Sequence, residues 1–169
     1  MKYTSLIILF ILALGLTNCS DSKVAMSDAA TAVDFSQLLA DYHETTLQLN
    51  PLNATYAGDN RYNDRLPNVL DTGYQDSVKA FYQEYLDALT EVDRSTLAGE
   101  EQTSYDILKW ECETKLEAMD FRTELTPMNQ FESLHLTIGQ LAGGSSAQPF
   151  VTVEDYDNWL SRLNGFLDW

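Results

Sequence analysis

His43-Glu44 is the pair in this sequence that most invites a catalytic reading. On a helix, His-Glu-x-x-His sets two imidazoles on one face to hold zinc and supplies a glutamate as general base. Here Leu47 stands where the second histidine should be, so the helix offers one nitrogen, and the only other histidine, His135, is far along the chain. Gly139 to Ser146 contains glycines but no following lysine, so it lacks the charge with which a P-loop holds phosphate. Ser145 and Ser146 are not flanked as a nucleophile elbow. Glu100, Glu101, Glu111, Glu113 and Glu117 recur at the spacing of a solvated helix face. Paired acid–base carboxylates need two distinct environments in one pocket, and helical spacing alone supplies neither. Cys112, between Trp110 and Leu116, reads as a small buried residue and not as a reactive thiol. These patterns assign no catalytic residue and no metal ligand to the chain.

The segment Gly58-Asp59-Asn60-Arg61-Tyr62-Asn63-Asp64-Arg65-Leu66-Pro67 is different in kind. Arg61 and Arg65 flank a tyrosine, among carboxylates and amides. A guanidinium fork matches a carboxylate in bidentate fashion. The cluster is therefore either a loop that satisfies its own charges or a site that recognises a carboxylate. Arg61, Tyr62 and Arg65 are the candidate contact residues.

Helices must position this segment. Asp34-Phe35-Ser36-Gln37 has the form of a capping box, and Phe35, Leu38, Leu39, Tyr42 and Leu49 fall on one helical face up to Pro51. The stretch from Asn50 to Gly73 carries two prolines and two glycines; loops of that length are functional or hold short helical turns. A second helix is expected from near Tyr74, with Val78, Phe81, Tyr82, Tyr85, Leu86, Leu89 and Val92 spaced for burial. A third is expected from about Leu97 to Phe121, carrying Tyr105, Leu108, Trp110, Cys112, Leu116 and Met119. The short link between them predicts an antiparallel hairpin. Thr126-Pro127-Met128-Asn129 interrupts the pattern, Leu134 to Leu141 forms a short helix, and Ala142 to Ser146 a loop. Thr152, followed by Glu154 and Asp155, opens a last helix whose apolar residues are Tyr156, Trp159, Leu160, Leu163, Phe166 and Leu167. Gly165 is a possible stop for it. The expected fold is all-α, built of antiparallel hairpins with one long irregular loop.

Composition and the leading residues set the compartment. The chain is 44% hydrophobic and 11% aromatic, enough for a core, and its net charge is −16. That charge excludes nucleic acid as a partner, because phosphate binding needs clustered Lys and Arg. It also opposes adsorption to anionic lipid. Lys2, a charge-free run from Leu6 to Leu16, and Leu16-Thr17-Asn18-Cys19 have the order of a secretory signal. The run falls short of the roughly 20 apolar residues that a spanning helix needs. Cysteine at its end resembles the lipobox of bacterial lipoproteins, with Leu16 in place and Asn18 departing from the usual small residue. The expectation is a signal peptide over 1–18, acylation of Cys19, a flexible tether over 19–33 and a helical body over 34–169. Membrane lipid is thus the expected partner of Cys19. Ser20 points to the outer membrane of the cell envelope.

From Leu49 to Pro67 the chain resembles the opening of the bacterial family called domain of unknown function 885. The residues carrying the likeness are Pro51-x-x-Ala54-Thr55-x-x-Gly58 and the turn Arg61-Tyr62-Asn63-Asp64-Arg65-Leu66-Pro67. Pro127-Met128-Asn129-Gln130, Ala147-Gln148-Pro149-Phe150 and Tyr156-x-x-Trp159-Leu160-x-Arg162-Leu163 look like its next landmarks, so the resemblance runs over about residues 34 to 169. It implies the N-terminal portion of a larger helical metallopeptidase-like fold, with zinc held in full-length relatives by a His-Glu motif far beyond the matched region. No such motif occurs here, so the resemblance carries over no catalytic residue and no cofactor. It implies that these helices wall a peptide channel, and the charge cluster makes Arg61, Tyr62 and Arg65 the candidates to touch peptide substrate there. The chain stops at Phe166-Leu167-Asp168-Trp169 within an apolar pattern, so it is expected to be a fragment, inactive alone. The alternative from a different class is a free-standing acidic helical lipoprotein that binds a partner.

Overall fold

Asp34 opens the first helix. Its carboxylate accepts from the amides of Ser36 (3.0 Å) and Gln37 (3.3 Å), which have no partner within the helix, and α1 runs Phe35–Leu49. Gln37 does not return the bond; its side chain donates to Asp41 at 2.8 Å, so the expected capping box is a one-sided cap. Pro51 ends α1 and also starts a second helix, α2, Pro51–Tyr56, at the position where its missing N–H is harmless. The long connection thus holds α2 and a 3-10 turn, Asn60–Tyr62. Gly58 joins the two with φ +85°, a conformation that glycine reaches without strain.

Asp71 caps α3, Thr72–Thr90, by accepting from the Tyr74 amide at 3.1 Å. A 3-10 turn, Arg94–Thr96, leads to α4, Gly99–Met119. Ala98 has no oxygen to cap α4; instead its own N–H donates to Glu101 at 2.9 Å. The Tyr105 hydroxyl donates to the Leu89 carbonyl at 3.1 Å, and Met119 and Asp120 border the same hollow as Thr72 and Asp76. The start of α4 therefore lies beside the end of α3, and the two form the expected antiparallel hairpin. A 3-10 turn at Thr123–Leu125 precedes α5, Leu134–Leu141, and α6, Val153–Leu167. Thr152 and Asp155 cap α6 reciprocally, at 3.2 and 2.7 Å. The computed structural model describes residues 33–129, 131 and 133–169, all in one unit. The expected signal peptide, Cys19, the tether before Val33 and Gln130 of the third landmark lie outside the described residues. Among the described residues the only β pairing is an isolated bridge between Met128 and Ser133, so the fold is all-α.

Burial divides into two main clusters. The hairpin and α1 enclose Phe35, Phe81, Tyr82, Tyr85, Leu89, Leu108 and Cys112. There Tyr42 stacks on Phe81 (5.2 Å, 18°) and meets Tyr85 edge-on (5.1 Å, 77°), geometries that suit the ring quadrupoles. A second cluster joins Ile138, Leu141 and Trp159, with Leu52 and Leu66 of the long connection against it. A small knot of Leu47, Ala54 and Tyr62 fastens α2 to α1.

Two expectations of burial need correction. Trp110, placed with the buried residues of α4, is exposed, as is Ile107. On α6 the apolar residues split: Trp159 is buried, Leu163 and Phe166 are half-buried, and Tyr156, Leu160 and Leu167 face solvent. Gly165 is no stop, since α6 continues to Leu167. It is there for closeness: a Cβ would lie 2.7 Å from the Leu66 carbonyl oxygen. Because the obstacle is backbone, Gly165→Ala must push α6 off the long connection. A loss of about 2 kcal/mol is expected, the usual cost of overpacking, read as a lower urea midpoint. An unchanged midpoint would mean that the two segments are free to separate.

Candidate functional site

The 3-10 turn at Asn60–Tyr62 sets Arg61 and Tyr62 against α1. Asp59 starts it by accepting from the Arg61 amide at 3.1 Å. The Arg61 guanidinium then donates to both carboxylate oxygens of Asp59 (2.6 to 3.0 Å) and to both of Glu44 (3.1 and 2.8 Å). The Tyr62 hydroxyl donates to the same Glu44. Glu44, whose neighbour His43 suggested zinc chemistry, is thus the anchor of the loop. His43 and His135 are both exposed, and among the described residues no three His, Cys, Asp or Glu side chains converge as a metal site. The zinc that the resemblance implies for full-length relatives therefore finds no fitting donor set among the described residues. Ser133 lies 3.4 Å from His135 through its hydroxyl, a distance too long for an activated nucleophile, and no described carboxylate orients that ring.

The charges at the turn are mutually held. Hydrogen bonds from Arg61, then Tyr62, hold the Glu44 carboxyl down at about 2. Arg61 likewise lowers Asp59, and the two carboxylates raise Arg61. The bond to Glu44 raises Tyr62. A depressed carboxyl contributes stability that is complete above its unfolded value, 4.5, and is lost as pH falls toward about 2. The Glu44 carboxyl carbon should therefore titrate near 2 by NMR and move back toward 4.5 in Arg61→Ala. A wild-type midpoint near 4.5 would show that the latch is open in solution.

Arg65 is placed differently. Its guanidinium lies 5.0 Å from the Tyr62 ring centre, as that of Arg61 does at 5.1 Å, and it pairs with Asp64 at 3.6 Å. Of the three candidate residues, Arg61 has its fork engaged by two carboxylates, Tyr62 is buried, and Arg65 is exposed with the loosest ion pair. The turn brings the three together around one ring.

Beneath them sits a residue that pattern reading placed in a landmark but gave no role. Arg162, on the inner face of α6, is fully buried, and no carboxylate among the described residues bonds to it. Its Nε donates to the Arg65 carbonyl (3.1 Å) and Nη1 to the Gln148 side chain (2.8 Å). Nη2 donates to the Thr55 hydroxyl (2.9 Å) and to the carbonyls of Tyr62 (2.8 Å) and Pro51 (3.4 Å). Burial pulls this guanidinium down to about 10, so it stays charged at neutral pH. Thr55 also donates to Asn63 at 2.6 Å. One side chain thus joins α2, the turn around Tyr62 and Arg65, the Gln148 segment and α6. The available signal was a lone arginine among Trp159, Leu163 and Phe166; a charge on an apolar edge has to find partners inside.

Beside this hub lies a cleft of about 470 Å³, walled by Leu52, Leu66, Pro67, Tyr74, Pro127, Ser133 and Trp169 among others. Its polar rim is largely spoken for by the chain itself. The Tyr74 hydroxyl donates to the Leu49 carbonyl (3.0 Å), the Gln75 amide to Val69 (2.6 Å), and Glu124 pairs with Arg122. The indole N–H of Trp169 is buried with no hydrogen-bond partner among the described residues. The cleft is therefore suited to neutral, partly apolar groups.

The segments meeting at Arg162 belong to those that carry the resemblance: Pro51 to Thr55, Tyr62 to Arg65, Gln148, and Trp159 to Arg162, though not Pro127 and Met128 of the remaining landmark. No curated protein and no solved structure matches the chain. One family model does, from the first residue of α2 onward, leaving α1 outside the match. Over residues 51–169 the chain matches the family described as bacterial protein of unknown function (DUF885), and it belongs to that family.

Proposed function

We propose that this chain is the front section of an exported, lipid-anchored protein of zinc-peptidase type, inactive alone because it carries no zinc ligands or general base. In this reading residues 51–169 form a helical wall that presents Arg65, propped on the buried Tyr62 ring, to a peptide, and acylated Cys19 holds the wall at the cell envelope, with the outer membrane favoured. The observation that supports it best is the Arg162 hub. Most of the family landmarks join there to fix the shape of one surface, as a scaffold for chemistry located elsewhere would require. The full chain should cleave no peptide by itself. Mixing it with the complementary remainder of a full-length family member should restore hydrolysis, more weakly after Arg65→Ala. Cleavage by the chain alone would overturn the scaffold role. Radiolabelled palmitate should enter the protein and be lost in Cys19→Ala; labelling that survives would remove the anchor from the reading.

A second reading is favoured by the exposed apolar residues of α6. A free-standing acidic lipoprotein would use such a surface to bind another protein. It would unfold in one cooperative step and would complement nothing.

A further inference from the structure

The last helix is apolar on two edges, and only one of them is used. Trp159, Arg162 and Phe166 turn toward the body of the protein. Val153, Tyr156, Leu160 and Leu167 remain 78%, 55%, 59% and 81% exposed. Their spacing, with half-buried Leu163 between, is three, four, three and four residues. That is the repeat that keeps one seam of a helix facing another helix. The seam has a firm floor on its inner side, where Phe150 packs against both Tyr156 (5.2 Å) and Trp159 (5.6 Å).

Charge says what kind of helix fits. The edge of α6 farther from the core exposes Glu154, Asp157 and Asp168. The one cation of this helix, Arg162, is turned inward and consumed by the hub. A second copy laid on the seam would bring these carboxylates against their own kind, in a chain of net charge −16. Like charges flanking a helical seam select against self-pairing, and opposite charges select the partner.

We propose that the exposed seam of α6 docks an amphipathic helix whose own apolar seam is flanked by lysine or arginine. The inference holds whether the chain is a front section or a free-standing module, since it concerns only the partner's chemistry.

The test uses the full chain in zwitterionic nanodiscs, with empty nanodiscs as the blank. The probe is a dye-labelled synthetic helix with leucine at the heptad seam and lysine at its flanks. Two isomers accompany it: one with glutamate flanks, and one with the same lysines and leucines but a scrambled seam. The lysine-flanked helix should bind saturably, at least tenfold more tightly than either isomer. Leu160→Asp should abolish that advantage while leaving helix content and the melting midpoint unchanged. The proposal is overturned if the scrambled helix binds equally, because charge alone then suffices, or if Leu160→Asp binds like the parent. A dimer in sedimentation equilibrium that Leu160→Asp dissolves would overturn it too, since a second copy would then cover the seam.

Discussion

Arg162→Met is expected to lower stability by about 3 kcal/mol and to do so locally. The substitution removes the donors that satisfy the carbonyls of Pro51, Tyr62 and Arg65, together with Gln148 and Thr55. Each buried acceptor left without a donor costs roughly 1–3 kcal/mol. Relief from burying a charge offsets several kcal/mol of that sum, and the net remains unfavourable because so many acceptors depend on one side chain. Arg162→Lys should rescue little. An ammonium has the charge but not the planar fork, and it cannot reach acceptors on three separate segments. In urea, the fluorescence of Trp159 should change well before the helical signal of the α3–α4 hairpin, whose core is separate. Coincident transitions at the wild-type midpoint would show that Arg162 is a bystander.

Leu89→Ala should have the opposite character, a global loss of about 3 kcal/mol. Leu89 is 1% exposed among Phe81, Tyr85, Leu108 and Cys112, and truncating a buried leucine costs roughly 2–5 kcal/mol, depending on how far the hole collapses. For a domain of this size that corresponds to a fall of roughly 10 °C in melting midpoint. Because the hairpin supports α1, and α1 supports the Tyr62 turn through Leu47 and Glu44, every probe should shift together. A loss confined to Trp159 fluorescence would contradict the division into two clusters.

The two substitutions mark what the sequence made legible. Regular apolar spacing and capping residues gave the hairpin, α5 and α6 close to their true limits, because those signals act within a turn or two of the chain. Thr152 with Asp155 is such a case; Asp71, which caps α3, carried the same kind of signal but was not singled out. Pro51 was read only as a terminator, although the residue that ends α1 also begins α2. The partner of Glu44 lies 17 residues away and the acceptors of Arg162 lie up to 111 residues away; no local pattern encodes such distances. Periodicity likewise gave α6 an apolar arc wider than one neighbour can cover, and the choice of inner edge depended on Gly165, where the helix meets Leu66. The candidate cluster at Arg61, Tyr62 and Arg65 was visible as composition. What the fold adds is that Glu44 and Asp59 engage the first arginine while the second stands clear of both.

Arg162 also sets an order of events in folding. Its acceptors at Pro51, Tyr62 and Arg65 are made long before it, 97 to 111 residues earlier in the chain. The hairpin, whose contacts are close in sequence, needs nothing from α6 and can close first, as local contacts generally do. Until α6 arrives, the carbonyls of the long connection stay hydrated and its backbone stays open to exchange and to proteases. Pulse-labelled refolding should accordingly protect the amides of α3 and α4 in an early phase and those around Tyr62 and Asn63 only in the phase that buries Trp159.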